Sequence, residues 1–283
     1  MAESQGSDIR HGTLRDEGAG RGDVLRLTYT WDAPAKWGRL TLERPDSEFA
    51  VSVGIARPHP MPMAELRRVV ENPCCRSVGP DVAFFAVSSR LESVGPMPGL
   101  AADVPITTAS GQVPVADLKR GDLVATADDA RVPVLQAVSR VVPARGSLRP
   151  VLLRAPYFGL CRDLVVAPQQ RLLISGTQVD YMFGRETVLV QARHLVNEIF
   201  ARYAEGPPLV RYHQLLLPGH EALQTAGATT ESLYIGRLRR KPDELAASVL
   251  AGCDRSRLPE HAKPVHPVLK PYEAVTLALN RAA

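Results

Sequence analysis

The sequence predicts a mainly β protein in two parts. A small N-terminal β-sheet domain with one helix comes first, and a compact, curved all-β domain with a short C-terminal helix follows. Three observations predict this. Short apolar runs alternate with polar residues at a period of two at many places along the chain. The 24 prolines lie scattered between those runs, which suits frequent turns and disfavours long helices. Aromatic residues make up only 5% of the 283, so Val, Leu, Ala and Ile must fill the core that a 45% hydrophobic content can supply.

Residues 1–22 are polar and rich in Gly, Ser, Asp and Arg, and are expected as a disordered arm. They carry no apolar signal core. No stretch approaches the ~18 apolar residues of a membrane span. The expectation is a cytoplasmic protein with no membrane partner, secretion by a non-classical route remaining open. Residues 23–92 then read as the small domain. Strands are expected over 23–31, 39–44, 49–55 and 82–87, and a helix over 62–70, where Pro62 opens a segment with Leu66, Val69 and Val70 at helical spacing. Residues 93–99, with two prolines and two glycines, read as a linker.

The second domain is expected over 100–279. Its strands read as 104–108, 113–116, 122–126, 132–142, 150–154, 162–167, 170–175, 187–191, 211–217, 221–226 and 273–278. Helix is expected only near 192–200 and over 242–252, the latter with an acidic start and a Gly252 stop. Asp117 and Asp122 read as turn formers.

Composition limits the function classes. A net charge of +4 and a pI near 9.0 are a mild excess that argues against a dedicated nucleic-acid binder. The strongest basic cluster is Arg237, Arg239, Arg240 and Lys241, expected as solvated surface; the alternative is docking of an acidic protein partner or a nucleic-acid backbone. There are four cysteines: Cys74 and Cys75 are adjacent, while Cys161 and Cys253 stand alone. No Cys-x-x-Cys pair and no His cluster at zinc spacing occurs, so four reduced thiols, no metal and no cofactor are expected. A vicinal disulfide at Cys74 and Cys75 is the lesser alternative. No Walker loop, dinucleotide fingerprint or Gly-x-Ser-x-Gly elbow is present.

Five segments in order carry a resemblance. Ile106–Val124 reads as strand, turn, short apolar segment and a Gly121-Asp122 turn into another strand. Ala167–Leu173 is Ala-Pro-Gln-Gln-Arg-Leu-Leu. Glu186–Asn197 is a strand followed by Ala-Arg-His-Leu-Val. Tyr212–Glu221 is Tyr-His-Gln-Leu-Leu-Leu-Pro-Gly-His-Glu, and Pro267–Ala274 ends in Lys-Pro-Tyr-Glu-Ala. Together they resemble the Hint domain, the hedgehog/intein self-processing fold, in its bacterial subfamily. That resemblance implies a horseshoe-like β fold and autocatalytic cleavage. A Cys, Ser or Thr attacks the carbonyl just before it, turning a peptide into an ester or thioester. A His on an inner strand then protonates the departing amide nitrogen.

The resemblance also shows where this chain departs from the pattern. The nucleophile position falls on Gly99, and the inner-strand His on Gln170. The first His of the Leu-Leu-Leu strand falls on Gln214. His220 and Glu221 match family positions. A glutamine amide donates hydrogen bonds but does not transfer a proton near neutral pH. The reading is therefore a Hint module that has lost self-processing and acts as a structural or interaction module. The alternative is autoproteolysis near residue 99 with Ser93 or Thr107 as nucleophile and His220 as acid. Gly99 and Gln170 are expected to meet in space. His213 should face away from Gln214, His194 should lie at a surface helix start, and His261 and His266, in a Pro-rich stretch, show no metal spacing.

Overall fold

A computed structural model describes residues 2–5, 8–14, 24–45 and 50–282. The chain divides into two compact units, Met1–Gly95 and Pro96–Ala283.

In the first unit, strand β1 (Ala2–Gln5) pairs antiparallel with β2 (Asp8–His11). The stretch expected as a disordered arm thus contains a hairpin. Composition reports side-chain burial, whereas a hairpin is held by backbone pairing that polar side chains do not prevent. Residues 15–22 of that arm lie outside the described residues. Strands β3 (Arg26–Asp32), β4 (Trp37–Glu43) and β5 (Ala50–Ala56) form an antiparallel sheet in that order. Leu40 and Ile55 are buried in it. Glu43 is buried too, where it receives the Arg26 guanidinium at 3.0 Å and the Gly95 N–H at 2.8 Å. Helix α1 (Met63–Glu71) starts behind Pro62 as its sequence predicts. The strand expected over 82–87 does not form: these residues adopt no regular element, and Val82, Phe85 and Val87 are exposed. An apolar run becomes a strand only where a neighbour completes its ladder.

The second unit is built from short strands. In order they are β6 (Leu100–Ala101), β7 (Pro105–Thr108), β8 (Gly111–Pro114), β9 (Leu123–Ala125), β10 (Arg131–Pro133), β11 (Gln136–Pro143), β12 (Val151–Leu153), β13 (Leu164–Val166), β14 (Arg171–Ser175), β15 (Thr187–Gln191), β16 (Ala201–Tyr203), β17 (Leu209–Leu216), β18 (Ala222–Thr225) and β19 (Ala228–Glu231). One sheet runs β10-β9-β7-β18-β19-β14-β15, with β8 on β7; the other runs β11-β17-β6-β13-β12-β16. The longest ladder joins β11 to β17 over eight residue pairs, from Gln136 opposite Leu216 to Pro143 opposite Leu209. The end of strand β17, Gln214 to Leu216, is buried on both faces. Leu215 faces the main core with Leu100, Ile106, Leu172 and Leu223, while Leu216 faces a smaller core with Leu233, Ile235 and Leu258. Alternation at a period of two sends successive leucines to opposite cores, which explains an unbroken apolar run.

Helices differ most from the sequence reading. Helix α2 (Thr177–Phe183) was not expected. It is bracketed by Gly176 and by Gly184, which caps it in the left-handed region at φ 59° with its N–H on the Asp180 carbonyl. Near 192–200 only a 3-10 turn, Ala192–Leu195, forms. Helix α3 (Pro242–Ala247) stops short of Gly252 because the Ser248 hydroxyl bonds back to the Leu245 carbonyl. The strand expected over 273–278 is instead part of helix α4 (Pro271–Ala282). Ala274, Leu277 and Ala278 are buried while Tyr272, Val275 and Leu279 are exposed. That spacing is helical, and it overrides the β preference of Val275 and Thr276.

The turn between β18 and β19 is anchored by close backbone approach. Gly227, at φ 90°, would place a Cβ 2.4 Å from the Gly159 carbonyl oxygen and 2.7 Å from Cys161 Sγ. The neighbouring Ala226 carbonyl accepts the Cys161 N–H at 2.8 Å. Gly227→Ala should therefore destabilise the protein by about 2–4 kcal/mol, through backbone strain and overpacking together. Gly206→Ala, where an added Cβ meets nothing within 4 Å, should stay within about 0.5 kcal/mol. Urea unfolding of both variants checks the contrast.

Candidate functional site

Gly99 enters the second unit just before β6 and is buried. Its carbonyl accepts the Ala167 N–H at 2.7 Å, which ties the chain entry to the turn before β14. That turn closes through the Gln170 N–H on the Ala167 carbonyl, at 3.0 Å. It also aims the Gln170 side chain at Gly99. A Cβ built on residue 99 would stand 2.0 Å from Gln170 Oε1, 2.9 Å from its Cδ and 3.0 Å from its Cβ. The volume that any side chain at 99 would occupy is already filled by the Gln170 amide.

Gln170 is 3% exposed and Gln214 2%. Gln214 Nε2 donates to Gln170 Oε1 at 2.8 Å, and both Nε2 groups reach the Glu231 carbonyl, at 3.1 Å from Gln214 and 3.2 Å from Gln170. Gln214 Oε1 accepts the Leu215 N–H at 3.2 Å. The two amides are thus satisfied by each other and by backbone, as burial requires. Amide orientation is assigned here from these partners.

The Glu231 carboxylate closes the cluster. Oε1 accepts the Arg171 N–H at 3.2 Å, and Oε2 lies 3.1 Å from the Arg171 guanidinium. His220 Nε2 approaches Oε2 to 3.2 Å, off the axis of an aligned hydrogen bond, so the contact is electrostatic. On its other side His220 Nδ1 accepts the Val265 N–H at 2.9 Å. An imidazole that accepts at Nδ1 carries its proton on Nε2, which here faces the carboxylate. Tyr234 packs edge-on against the His220 ring at 4.9 Å, and the His261 ring lies 5.9 Å away.

Gly99, Gln170, Gln214 and His220 therefore lie in one connected cluster. Glu221, singled out with His220 in the sequence, points elsewhere. Its Oε1 lies over Gly219, and burial together with Asp128 raises its carboxyl above the usual range, His220 opposing. Thr107 sits in β7 opposite Gln112, and Ser93 belongs to the first unit. His213 is half-buried beside the buried Gln214. His194 is half-buried rather than at the surface, and burial with Arg193 brings its pKa down to about 4. Sequence reasoning missed Glu231, because its partner Arg171 is 60 residues away and nothing local marks it.

The basic cluster is partly neutralised. Glu260 takes Arg240 through a two-point fork at 2.6 and 2.9 Å and Arg239 at 3.4 Å, and Glu244 holds Lys241 at 2.9 Å. All four cysteines are free thiols. Among the described residues no group of three or more His, Cys, Asp or Glu is placed to hold a metal, and no helix is long and apolar enough to cross a membrane.

Comparison with known proteins follows the same ground. Residues 98–237 match the family model of the Hint domain, so a Hint domain occupies this part of the chain. Its fold is that of a self-processing family. Solved structures similar to it include the MchDnaB-1 intein, at 16% identity with 47% of this chain and 98% of that one covered and a TM-score of 0.33. A bacterial intein-like domain from Clostridium thermocellum matches at 15% identity, covering 48% and 99%, with a TM-score of 0.31. A DnaB intein from Synechocystis sp. PCC 6803 matches at 10% identity, covering 47% and 97%, with a TM-score of 0.29. No curated protein matches.

The packing of Gln170 on Gly99 makes the two positions one unit energetically. Gly99→Ala alone should displace the Gln170 amide from its buried partners and cost about 2–4 kcal/mol. With Gln170→Ala already in place, the same change should cost under about 1 kcal/mol. A double-mutant cycle by urea denaturation measures the coupling; strict additivity would refute the contact.

Proposed function

We propose that residues 98–237 are a Hint module that no longer cuts its own chain and now serves as a structural or interaction module. One observation carries this reading: the Gln170 amide occupies the volume that a reacting side chain at 99 would need. In the family chemistry that side chain attacks the carbonyl before it, here that of Pro98. Gly99 offers no nucleophile, and a glutamine amide is no proton donor to a leaving nitrogen near neutral pH. Losing nucleophile and acid together removes essentially all catalysis; the comparable loss in a protease is ~10⁶-fold.

His220 is the imidazole that adjoins the two glutamines through Glu231; its Nδ1 is taken by the Val265 N–H and its Nε2 faces the Glu231 carboxylate. The retained parts are the ones that hold the fold: the Gln pair, the Glu231–Arg171 pair and the tie from Gly99 to Ala167. A glutamine in place of a histidine keeps such a cluster hydrogen-bonded without keeping its proton chemistry. Glu260 offsets part of the charge of Arg239 and Arg240, which weakens a nucleic-acid reading of that stretch.

Purified protein held with dithiothreitol or hydroxylamine should give a single full-length mass by intact mass spectrometry. Two fragments separated near residue 99 would overturn the proposal and favour autoproteolysis instead. Gly99→Cys with Gln170→His, made together so that the ring replaces the obstructing amide, is the companion experiment. Thiol-dependent cleavage by that variant alone would show that only the reacting groups were lost.

A further inference from the structure

Residues 258–267 cross the second unit without forming a helix or strand. Such a segment has no ladder to hold it, so its anchors can be followed one by one. The His261 N–H bonds the Gly236 carbonyl at 2.9 Å. The His261 ring accepts the Ile235 N–H at Nδ1, at 3.3 Å, and lies 3.3 Å from the Leu217 carbonyl through Nε2. The Val265 N–H reaches His220 Nδ1 at 2.9 Å. His266 Nδ1 pairs with the Thr187 hydroxyl at 3.0 Å. The Pro267 carbonyl takes the Leu189 N–H at 2.8 Å. Three of these anchors are imidazoles, and two of them accept a backbone N–H at Nδ1.

We propose that residues 258–267 form an acid-released strap, held over the Glu231 cluster by imidazoles that must stay unprotonated at Nδ1. A proton on Nδ1 of His220 or His261 would face a backbone N–H, donor against donor, and the bond to Val265 or Ile235 would be lost. Release would uncover His220, and with it the face of Glu231 that touches neither glutamine.

The charged and titratable groups around the strap support this direction. His220, His261 and Tyr234 face one another at ring distances of 4.9 to 6.0 Å, so a charge on either imidazole opposes a charge on the other. Glu231 faces His220 but already holds Arg171. Glu221 acts on the same cluster with its carboxyl pushed up by burial. On the strap itself Glu260 is bound to Arg239 and Arg240, and Lys263 is exposed. Burial brings the His261 pKa from 6.5 down to about 4, and lowers that of His266 as well, with His220 adding to both. A base whose pKa falls on closing stabilises the closed form above about 6.5, and that contribution is lost as pH drops toward 4. For His261 alone this amounts to about a 30-fold rise in strap opening between pH 7.5 and pH 5.

Hydrogen exchange on the full chain tests the proposal, with rates corrected for intrinsic exchange. Protection of the Ile235, His261 and Val265 amides should fall about 30-fold on going from pH 7.5 to pH 5, while the β11–β17 ladder changes little. His261→Asn, which presents an oxygen acceptor in place of Nδ1, should flatten that dependence. Equal loss of protection in strap and ladder, or no loss in either, would overturn the proposal. Should a variant fail to fold, NMR titration of the wild-type chain decides. Strap amide signals moving with the His261 ring support it, and signals indifferent to that titration refute it.

Discussion

Glu231 is the residue on which the second unit's polar interior depends. Its carbonyl receives two side-chain amides and its carboxylate receives Arg171 and faces His220. A buried carboxylate left alone would cost several kcal/mol, and a pair that loses one member typically costs 3–5. Here the charge is shared among β14, β19 and the loop bearing His220, while the carbonyl of the same residue reaches β17. Both sheets of the second unit thus meet at one residue. Around it the apolar packing is ordinary leucine and valine; the polar cluster is what makes one register preferable to its neighbours, because a slip of one residue would strand several buried polar groups.

Gly99 and Gln170 show how a buried polar side chain can fill the space beside a glycine and still keep its hydrogen bonds. A glycine at 99 alone would leave a void, and an apolar residue at 170 would leave the Gln214 amide and the Glu231 carbonyl short of a partner. The Gln170 amide meets both needs, filling the space beside Gly99 and bonding Gln214 and Glu231. Beyond this cluster, His220 and His261 each accept a backbone N–H at Nδ1.

The strands of the second unit were largely readable because most of them lie between clear turn residues and alternate or run apolar at lengths that only strands use. The helices were not. Helix α4 reads as a strand in sequence because Val275 and Thr276 are β-branched, while its burial follows Ala274, Leu277 and Ala278. Helix α2 is a seven-residue segment whose start and stop are two glycines, too short for periodicity to stand out. The apolar run at 82–87 failed for the opposite reason: the pattern was there, but no described neighbour pairs with it.

The sequence by itself determined the Hint resemblance and the identity of the groups at its key positions, since Gly99, Gln170, Gln214 and His220 stand in motifs whose order along the chain is legible. It determined too that no proton-transferring side chain stands at 170 or 214. Only the tertiary structure decided that the Gln170 amide fills the space beside Gly99, that Glu231 gathers both glutamines, Arg171 and His220, and that His261, which the sequence marks only as lacking metal spacing, fastens a segment that has no secondary structure. The physical reason is distance along the chain. Propensity and periodicity act over a few residues, whereas these contacts join groups 11 to 71 positions apart, and a buried polar group finds its partner only when the whole chain has closed around it.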